Sequence, residues 1–239
     1  MNKERLKTGL EMMGVAADET ALDRFEAFHA ILDEYNARMD LTAVLDEDER
    51  VDRHDLDSAA PLAHGLLAQS AKVIDVGTGA GFPGMPLLIL RPDLQITFLD
   101  ALNKRILFLE DALKRLGLTA ATLHARAEDA AKMAAHREQY DAAVSRAVAN
   151  AATLEELTLP FVKKGGVAIA WKGPGVADEL TAARRAAFLL GGTVRGTVDA
   201  LIPRRTDWAH VLLLTDKTGT TPKAYPRKAG TPGKKPLGM

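Results

Sequence analysis

The 239-residue chain contains no cysteine, only 5% aromatic residues and no long hydrophobic run. The absence of cysteine excludes a disulfide scaffold, a cysteine-ligated zinc site, an iron–sulfur cluster and a cysteine nucleophile. The scarcity of aromatic side chains argues against extensive stacking on nucleic acid bases. The longest apolar stretch, residues 85–90, is far shorter than the ~18–20 residues that cross a bilayer. No signal peptide is evident, so we expect a soluble, cytoplasmic protein without a membrane partner.

Acidic and basic residues nearly balance, yet they are unevenly distributed along the chain. The 31 Lys and Arg residues and the 32 Asp and Glu residues give a net charge of −1 at pH 7. Residues 217–239 contain no acidic residue, so residues 1–216 carry a net charge of −7. The six basic residues of this tail are Lys217, Lys223, Arg227, Lys228, Lys234 and Lys235. Such a segment is either a solvated tail or an arm that contacts phosphates.

Hydrophobic periodicity divides the chain into three parts. Residues 1–70 predict a helical N-terminal extension. Residues 71–216 alternate short apolar strands with helices, which predicts right-handed βαβ units and a doubly wound, mostly parallel α/β sheet of the Rossmann-like type. Residues 217–239 form the basic tail, which is rich in proline and glycine and is expected to pack on or near the same domain.

Local apolar runs and the residues that interrupt them predict the bounds of the individual elements. Helices are predicted over residues 18–39, 46–69, 102–116, 128–137, 151–163 and 177–190, with Asp18 capping the first and Gly117 ending the third. Strands are predicted over residues 72–76, 95–100, 121–126, 140–146, 166–172, 193–201 and 208–215. The last two strands are joined by a short link, which favours antiparallel pairing.

The most informative segment is the glycine loop of residues 75–84, which reads Asp-Val-Gly-Thr-Gly-Ala-Gly-Phe-Pro-Gly. It follows the first predicted strand and precedes a helix, at the edge where open α/β sheets bind their ligands. Alternating glycines allow tight turns and a close approach of the backbone to a ligand. The loop also satisfies the GxGxxG pattern of dinucleotide-binding proteins, which is weak evidence by itself.

The charge around this loop favours a cationic ligand. Asp75 stands two residues before Gly77, where its carboxylate would repel a pyrophosphate and attract an amino or sulfonium group. No basic residue lies between positions 73 and 90 to offset it. S-adenosylmethionine carries both cationic groups, and it therefore fits this loop better than a dinucleotide does.

Two further acidic residues stand near the ends of predicted strands: Asp100 ends the second, and Glu128 follows the third. Asp100 can accept hydrogen bonds from both ribose hydroxyls or cap the helix that follows it, and its spacing from the loop favours the ribose. Glu128, directly after Ala127, lies where an adenine edge is expected. Acids in a first helical turn also stabilise the helix, and for Glu128 alone that explanation is the better one.

Several motifs of this chain resemble one family of class I methyltransferases. The matching segments are His54-Asp55-Leu56-Asp57-Ser58, Asp75-Val76-Gly77-Thr78-Gly79, Phe82-Pro83-Gly84, Leu99-Asp100, Ser145-Arg146-Ala147, Trp171-Lys172-Gly173 and Tyr225-Pro226-Arg227-Lys228. They occur in the order found in the ribosomal RNA small-subunit methyltransferase G family, also called glucose-inhibited division protein B, and they span nearly the whole chain. Asp40 and Ala209 depart from the family pattern, which commonly has asparagine and arginine there, so one RNA-contacting arginine is absent.

The resemblance implies transfer of a methyl group from S-adenosylmethionine to N7 of a guanine in 16S rRNA of the small ribosomal subunit, by a protein that we expect to be a monomer. The resemblance implies cofactor contacts at Gly77, Phe82, Ala127, Glu128 and Arg146. The chemistry and spacing of the residues themselves predict four further cofactor contacts, at Asp75, Gly79, Gly81 and Asp100. Because N7 already carries a lone pair, the reaction needs orientation and a favourable field rather than a strong base.

Arg146 ends the fourth predicted strand and is the predicted catalytic residue. It could contact the cofactor or an RNA phosphate, or it could pair with an acid such as Asp141 or Asp75. Five other basic residues near strand ends or in loops are predicted to contact RNA phosphates. They are Lys104, Arg126, Lys172, Arg204 and Arg205.

Other functions share parts of this pattern. They are a class I methyltransferase for a small molecule or protein, a dinucleotide-binding oxidoreductase, and a non-catalytic ribosome-binding module. Asp75 argues against the oxidoreductase, the complete glycine loop argues against the non-catalytic module, and the basic tail favours RNA over a small substrate. His54 and Asp57 lie three residues apart on one helix face, which predicts a packing pair, and without a third ligand we expect no metal site.

Overall fold

The computed structural model describes residues 1–205 and 207–239. The strands are β1 Lys72–Val76, β2 Gln95–Asp100, β3 Ala121–His124, β4 Tyr140–Arg146, β5 Val162–Lys172, β6 Gly192–Asp199 and β7 Val211–Lys217. The helices are α1 Lys3–Met12, α2 Glu19–Asn36, α3 Glu47–Arg50, α4 Asp57–Ala63, α5 Gly84–Leu90, α6 Asn103–Leu116, α7 Ala127–Ala130, α8 Ala151–Thr158, α9 Val176–Leu189 and α10 Thr231–Lys234. Within these residues no helix combines the length and apolarity needed to cross a membrane.

The seven strands form one sheet in the order β3-β2-β1-β4-β5-β7-β6. Strands β1 to β5 pair in parallel, and β7 lies antiparallel between β5 and β6. This sheet confirms the predicted doubly wound, mostly parallel α/β fold. The chain order reverses between β1 and β4, and ligands of such sheets bind outside the carboxyl ends of the strands at that point.

Elements with strong local signals have the predicted bounds. Strands β1, β2 and β4 begin and end as predicted, and α6 differs from its predicted range by one residue. Asp18 caps α2 by accepting a hydrogen bond from the Ala21 amide at 2.7 Å. Gly117 ends α6 in the left-handed conformation, with φ of 62°.

The helix predicted over residues 46–69 is shorter and interrupted. A π-helical turn, Val51–Leu56, joins α3 to α4, and the helical run ends at Ala63, shortly before Gly65 with its φ of 62°. A π turn contains more residues per turn than an α-helix, so side chains three residues apart no longer share a face. The interruption concerns function because His54 lies within it.

Two other predicted helices, residues 128–137 and 151–163, are also too long. Helix α7 ends at Ala130, after which Arg137 donates hydrogen bonds to the carbonyl oxygens of Thr221 at 2.7 Å and Tyr225 at 2.9 Å. Pro160 has no amide hydrogen and disfavours helical geometry at the residue before it. Helix α8 therefore gives way to a 3-10 turn, Leu159–Phe161, and β5 begins earlier than predicted.

The N-terminal helices pack behind the glycine loop. Phe25 and Phe28 of α2 are fully buried. The ring of Phe28 lies 5.6 Å from that of Phe82 and 6.3 Å from that of Phe108 in α6. Burial of one such side chain contributes ~1.5–3 kcal/mol. The N-terminal helices thus pack against the glycine loop on the side away from the carboxyl edge of the sheet.

The basic tail contains fewer available cations than its sequence suggests. Lys217 belongs to β7, where it is buried, donates to the Leu159 carbonyl at 2.8 Å and pairs with Glu138 at 3.0 Å. Burial lowers the pKa of this ammonium group. Arg227 pairs with the fully buried carboxylate of Glu156 at 2.6 Å. The tail residues that remain exposed and basic are Lys223, Lys228, Lys234 and Lys235.

Candidate active site

The glycine loop leaves β1 in a backbone conformation that favours glycine. Gly77 and Gly79 have φ of 72° and 61°, values that other residues rarely adopt. The Gly77 amide donates to the Leu99 carbonyl at 2.8 Å, which ties the loop to the end of β2. A Cβ atom at Gly77 would lie 2.8 Å from Val148 Cγ2, whereas one at Gly79 would meet only the Gly77 carbonyl oxygen at 4.0 Å, an ordinary contact. The loop therefore presents bare backbone at the carboxyl end of β1.

Asp75 lies fully buried beneath this loop. Its Oδ2 accepts hydrogen bonds from the Thr78 hydroxyl at 2.7 Å and the Gly84 amide at 3.0 Å. Its Oδ1 is buried and has no hydrogen-bond partner among the described residues. Burial raises the pKa of Asp75 to about 6, although both hydrogen bonds oppose that shift. One carboxylate oxygen thus holds the loop while the other is unused.

Asp100 connects the end of β2 to the loop and to α6. Its Oδ2 accepts from the Gly79 amide at 3.0 Å and from Arg105 Nη1 at 3.2 Å. Its Oδ1 accepts from the Leu102 amide at 2.8 Å. Each carboxylate oxygen can accept more than one hydrogen bond, so these contacts leave acceptor capacity for a ligand. Asp100 thus binds the amide of Leu102, the residue before α6, without capping the helix, and it also lines a cavity.

That cavity has a volume of about 280 Å³ and is called the Asp100 cavity below. The predicted cofactor residues that line it are Gly77, Asp100, Ala127 and Glu128. Arg126, which was predicted to contact RNA, also lines it. Further lining residues that the sequence did not indicate are Val148, Ala149, Thr153, Gly230, Pro232 and Gly233.

The other predicted cofactor residues are placed differently. A Cβ atom at Gly81 would lie 2.6 Å from Met85 Cγ and 2.9 Å from Leu109 Cδ2, so this glycine is required for packing. Phe82 is buried, and its ring stacks on that of His54 with centroids 4.4 Å apart. Phe82 therefore supports the site from behind the loop.

A second depression, the Arg146 cleft, has a volume of about 390 Å³ and lies at the carboxyl ends of β4 and β5. Its functional groups come from the π turn, from the ends of both strands and from the segment before β7. The polar and aromatic lining residues are Arg53, His54, Asp57, Arg146, Trp171, Lys172 and His210.

Arg146 makes the central contacts in this cleft. Its Nη1 donates to Asp57 Oδ2 at 3.1 Å and to the Arg53 carbonyl at 2.8 Å. Its guanidinium carbon lies 5.2 Å from the centre of the Phe82 ring. Arg146 therefore does pair with an acid, as one alternative from the sequence predicted, but that acid is Asp57 rather than Asp141 or Asp75.

His54 is a neutral acceptor rather than a packing partner of Asp57. Its Nδ1 lies 3.3 Å from Arg146 Nη2, and its Nε2 lies 2.8 Å from the Thr42 hydroxyl. Burial, together with the positive charge of Arg146, lowers the pKa of His54 to about 3. Because arginine can only donate, Nδ1 accepts and Nε2 carries the hydrogen. The predicted His54–Asp57 pair does not form among the described residues; each side chain contacts Arg146 instead.

One short segment separates the two depressions. Arg146 and Ala147 line the Arg146 cleft, and the next two residues, Val148 and Ala149, line the Asp100 cavity. Ala147 has φ of 56°, an uncommon value for a residue with a Cβ atom. Such conformations concentrate at functional sites. The cavity and the cleft are therefore neighbours across a sharply bent stretch of backbone.

The family model described as GidB, rRNA small subunit methyltransferase G, matches residues 21–205. This chain belongs to the rRNA small subunit methyltransferase G family. Two proteins named ribosomal RNA small subunit methyltransferase G are 42% and 43% identical to it, from Clostridium perfringens strain 13 and from Alkaliphilus metalliredigens. The first match covers 97% of both chains and the second 99% of both. The family resemblance carried by the separate motifs is confirmed.

Solved structures of other proteins share the fold of this family member. The Methanococcus jannaschii fibrillarin pre-rRNA processing protein has a TM-score of 0.52 at 17% identity, covering 68% of this chain and 74% of its own. A TehB-like SAM-dependent methyltransferase from Corynebacterium glutamicum has a TM-score of 0.52 at 16% identity, covering 80% and 100%. At these identities the likeness shows the fold alone, a class I methyltransferase sheet.

The basic residues predicted to contact RNA do not form one surface. Lys172 lines the Arg146 cleft, where its Nζ pairs with Glu179 at 2.7 Å. Lys104 is exposed in the first turn of α6, and Arg204 is exposed in the loop before β7. Of these three residues, the structure brings only Lys172 to the cleft.

Arg205 reaches the edge of the cleft indirectly. It pairs with Glu49 and lies over the Trp208 ring, 3.9 Å from the ring centre. Arg53, a lining residue of the cleft, lies over the same ring at 4.5 Å. Stacking of two guanidinium groups on one indole is favourable because each cation interacts with the negative ring face. The sequence did not indicate Arg53 or Trp208, since their contact joins segments far apart in the chain.

Proposed function

We propose that this protein transfers a methyl group from S-adenosylmethionine to N7 of a guanine in 16S rRNA of the small ribosomal subunit. The observation that carries the proposal is the pair of depressions on the two sides of residues 146–149. A donor in the Asp100 cavity and an acceptor base in the Arg146 cleft would meet across this segment, as direct transfer requires. Membership of the rRNA small subunit methyltransferase G family supports an rRNA substrate.

The residues of the Asp100 cavity fit S-adenosylmethionine. Asp100 has acceptor capacity for ribose hydroxyls. Asp75 does not line the cavity, but its carboxylate lies buried beneath the glycine loop with Oδ1 unpaired among the described residues, and its negative charge suits the cationic part of the donor. Gly79 leaves room for a ligand against its backbone. Ala127 and Glu128 would hold the adenine. When bound, S-adenosylmethionine supplies an electrophilic methyl group, and the protein's own residues bind and orient it.

The Arg146 cleft contains cationic hydrogen-bond donors that suit the phosphates of a nucleic acid. Arg53, Arg146 and Lys172 line it, and Asp57 is the one carboxylate in its described lining. That carboxylate is already paired with Arg146. Arg53 and Lys172 are likewise paired, with Glu49 at 2.5 Å and Glu179 at 2.7 Å, so a phosphate would share these donors with the carboxylates rather than meet an excess of positive charge.

No side chain of the cleft needs to remove a proton for this reaction. The N7 lone pair of guanine can attack a methyl group directly, so orientation is the main requirement. His54, with its pKa of about 3, stays neutral at pH 7 and accepts a hydrogen bond from Arg146. We assign His54 a positioning role, in which it fixes the guanidinium of Arg146 toward the RNA.

An rRNA substrate is consistent with a cytoplasmic protein. Both depressions are built from one chain, which supports action as a monomer.

The test is label transfer from tritiated S-adenosylmethionine to small ribosomal subunits and to naked 16S rRNA, both from cells that lack the modification. Borohydride and aniline cleavage then maps any N7-methylguanine. We expect label at one guanine N7, and we expect Arg146→Ala to lower the rate by roughly 100-fold, the cost of misplacing a reacting group.

Arg195→Ala is the matched control, since Arg195 pairs with Asp216 on the exposed face of β6 and lines neither depression. It should retain the rate of the unaltered protein. Label on an atom other than guanine N7, or no label on either RNA, would contradict the proposal.

A further inference from the structure

The C-terminal segment forms one side of the Asp100 cavity. Residues 225–235, called the strap below, pack against α7 and α8, and Gly230, Pro232 and Gly233 line the cavity. We propose that the strap is part of the cofactor site: it contacts the adenine of the bound nucleoside, and cofactor binding and strap seating stabilise each other. This inference rests on the proposed function, which supplies the nucleoside.

Two residues of the cavity hold the strap directly. Glu128 Oε1 accepts a hydrogen bond from the Gly230 amide at 2.7 Å. Thr153 donates its hydroxyl hydrogen to the Pro232 carbonyl at 3.1 Å. Both side chains are buried and both line the same cavity as the strap. The position of the strap and the shape of the cavity therefore depend on each other.

The ends of the strap are anchored outside the cavity. The backbone amide of Arg227 and its guanidinium both bind the buried carboxylate of Glu156, at 2.7 Å and 2.6 Å. Arg227 Nη2 also donates to the Lys235 carbonyl at 2.7 Å, which closes the strap into a loop. Arg137 holds the start of the strap through the Tyr225 carbonyl at 2.9 Å. Residues 228–234 thus span two fixed points over the cavity.

The chemistry of the lining identifies which part of the ligand the strap meets. The glycine loop and Asp100 occupy the other side of the cavity, where the donor's amino acid part and ribose are proposed to bind. The cavity lining includes the apolar Leu157 and Pro232 beside Glu128 and Thr153, the two polar side chains that hold the strap. A flat purine suits such a slot. The second oxygen of Glu128 takes no part in the Gly230 contact, so it can accept from an exocyclic amino group.

Mutual stabilisation follows from these contacts. A ligand that binds only when the strap is seated stabilises the seated state, and by linkage a seated strap raises the ligand's affinity. The competing role is an RNA-binding arm, since Lys228, Lys234 and Lys235 of the strap are exposed. An arm would respond to RNA and would be indifferent to the nucleoside.

Hydrogen exchange on the full chain separates these roles. S-adenosylhomocysteine is the probe, because it has the same nucleoside and no transferable methyl group. We expect it to slow exchange of the amides of residues 228–235 by about five-fold or more, as binding shifts the local opening equilibrium. Protection of these amides by rRNA fragments alone, with none by S-adenosylhomocysteine, would overturn the inference.

A substitution that leaves the nucleoside-binding groups in place provides the second measurement. Thr153→Val removes the hydroxyl that holds Pro232 and nearly preserves the shape. We expect it to weaken S-adenosylhomocysteine binding about five-fold, roughly 1 kcal/mol, by calorimetry and to speed exchange of the strap amides. Thr193→Val is the control, because the Thr193 hydroxyl contacts the exposed Thr218 hydroxyl at the β6 edge of the sheet and Thr193 does not line the cavity, so it should change neither value.

Equal affinities in Thr153→Val and the unaltered chain would also overturn the inference. If the unaltered chain does not bind S-adenosylhomocysteine at all, the proposed methyl donor is wrong. If it binds normally while strap exchange and the Thr153→Val affinity stay unchanged, only the role of the strap is wrong.

Discussion

Replacing Asp75 with asparagine should remove two opposite pH dependences at once. Burial raises the pKa of this carboxyl group from 3.8 to about 6. Between pH 3.8 and pH 6 the folded protein binds more protons than the unfolded chain. The contribution of Asp75 to the free energy of unfolding is therefore full below the unfolded pKa and falls as pH rises through the folded pKa. From pH 5 to pH 7 the expected loss is about 1 kcal/mol of the free energy of unfolding.

Affinity for a cationic donor should change in the other direction. With a pKa of about 6, the ionised fraction of Asp75 rises from about one tenth at pH 5 to about nine tenths at pH 7. If the cationic part of S-adenosylmethionine binds only when Oδ1 is ionised, its affinity should rise about ten-fold over this range.

Calorimetry at pH 5, 6 and 7 measures the affinity, and urea unfolding at the same pH values measures the stability. Asp75→Asn is nearly isosteric and cannot ionise, so both trends should flatten. Asp93→Asn is the matched control, because Arg91 holds the pKa of Asp93 at about 2 and that group stays ionised throughout. It should leave both trends unchanged.

A ten-fold gain in affinity from pH 5 to pH 7 that persists in Asp75→Asn would refute the assignment of Asp75 to the donor's cation. Unfolding curves with the same pH dependence in both proteins would refute its raised pKa.

Three other outcomes are expected. Gly77→Val should abolish S-adenosylmethionine binding in calorimetry and also lower the melting temperature, because its Cβ would lie 2.8 Å from Val148 Cγ2 at a φ of 72°; a folded variant with normal affinity would remove this glycine from the site. Burial raises the pKa of Glu155 to about 8, so stability should fall by about 3 kcal/mol from pH 5 to pH 8, and urea unfolding of Glu155→Gln should lack that fall. Replacing the four exposed tail lysines with glutamine should flatten the salt dependence of rRNA affinity by at most about 0.7 per phosphate contact; identical slopes would show that the tail binds no phosphate. Those residues are Lys223, Lys228, Lys234 and Lys235.

Substitution of the four exposed lysines is a cleaner test than deletion of residues 217–239, which the sequence alone suggests. Lys217 is a buried residue of β7 that pairs with Glu138, and Gly230 and Pro232 line the Asp100 cavity. Deletion would therefore disturb the sheet and the cavity together, and its effect on RNA binding could not be assigned to charge.

The amino-acid sequence by itself determined the sheet strands, the glycine loop and the family. Strands β1, β2 and β4 are short apolar runs that end at glycine, aspartate or arginine, and neighbouring residues are sufficient to define them. The loop was recognisable for the same reason, since Gly77 and Gly79 satisfy a requirement of their own backbone. Asp100 followed from its place at the end of a strand.

Only the tertiary structure decided how these pieces form a site. The pairing of Arg146 with Asp57 joins residues 89 positions apart, and the contact of Glu128 with Gly230 joins residues 102 positions apart. Periodicity reports which face of an element is buried, but it carries no information about which distant element covers that face. The π turn likewise changes the direction of His54 without changing the apolar pattern. The partners of Arg146 and the wall supplied by the strap therefore depend on the packed chain, because both arise from contacts that no local segment contains.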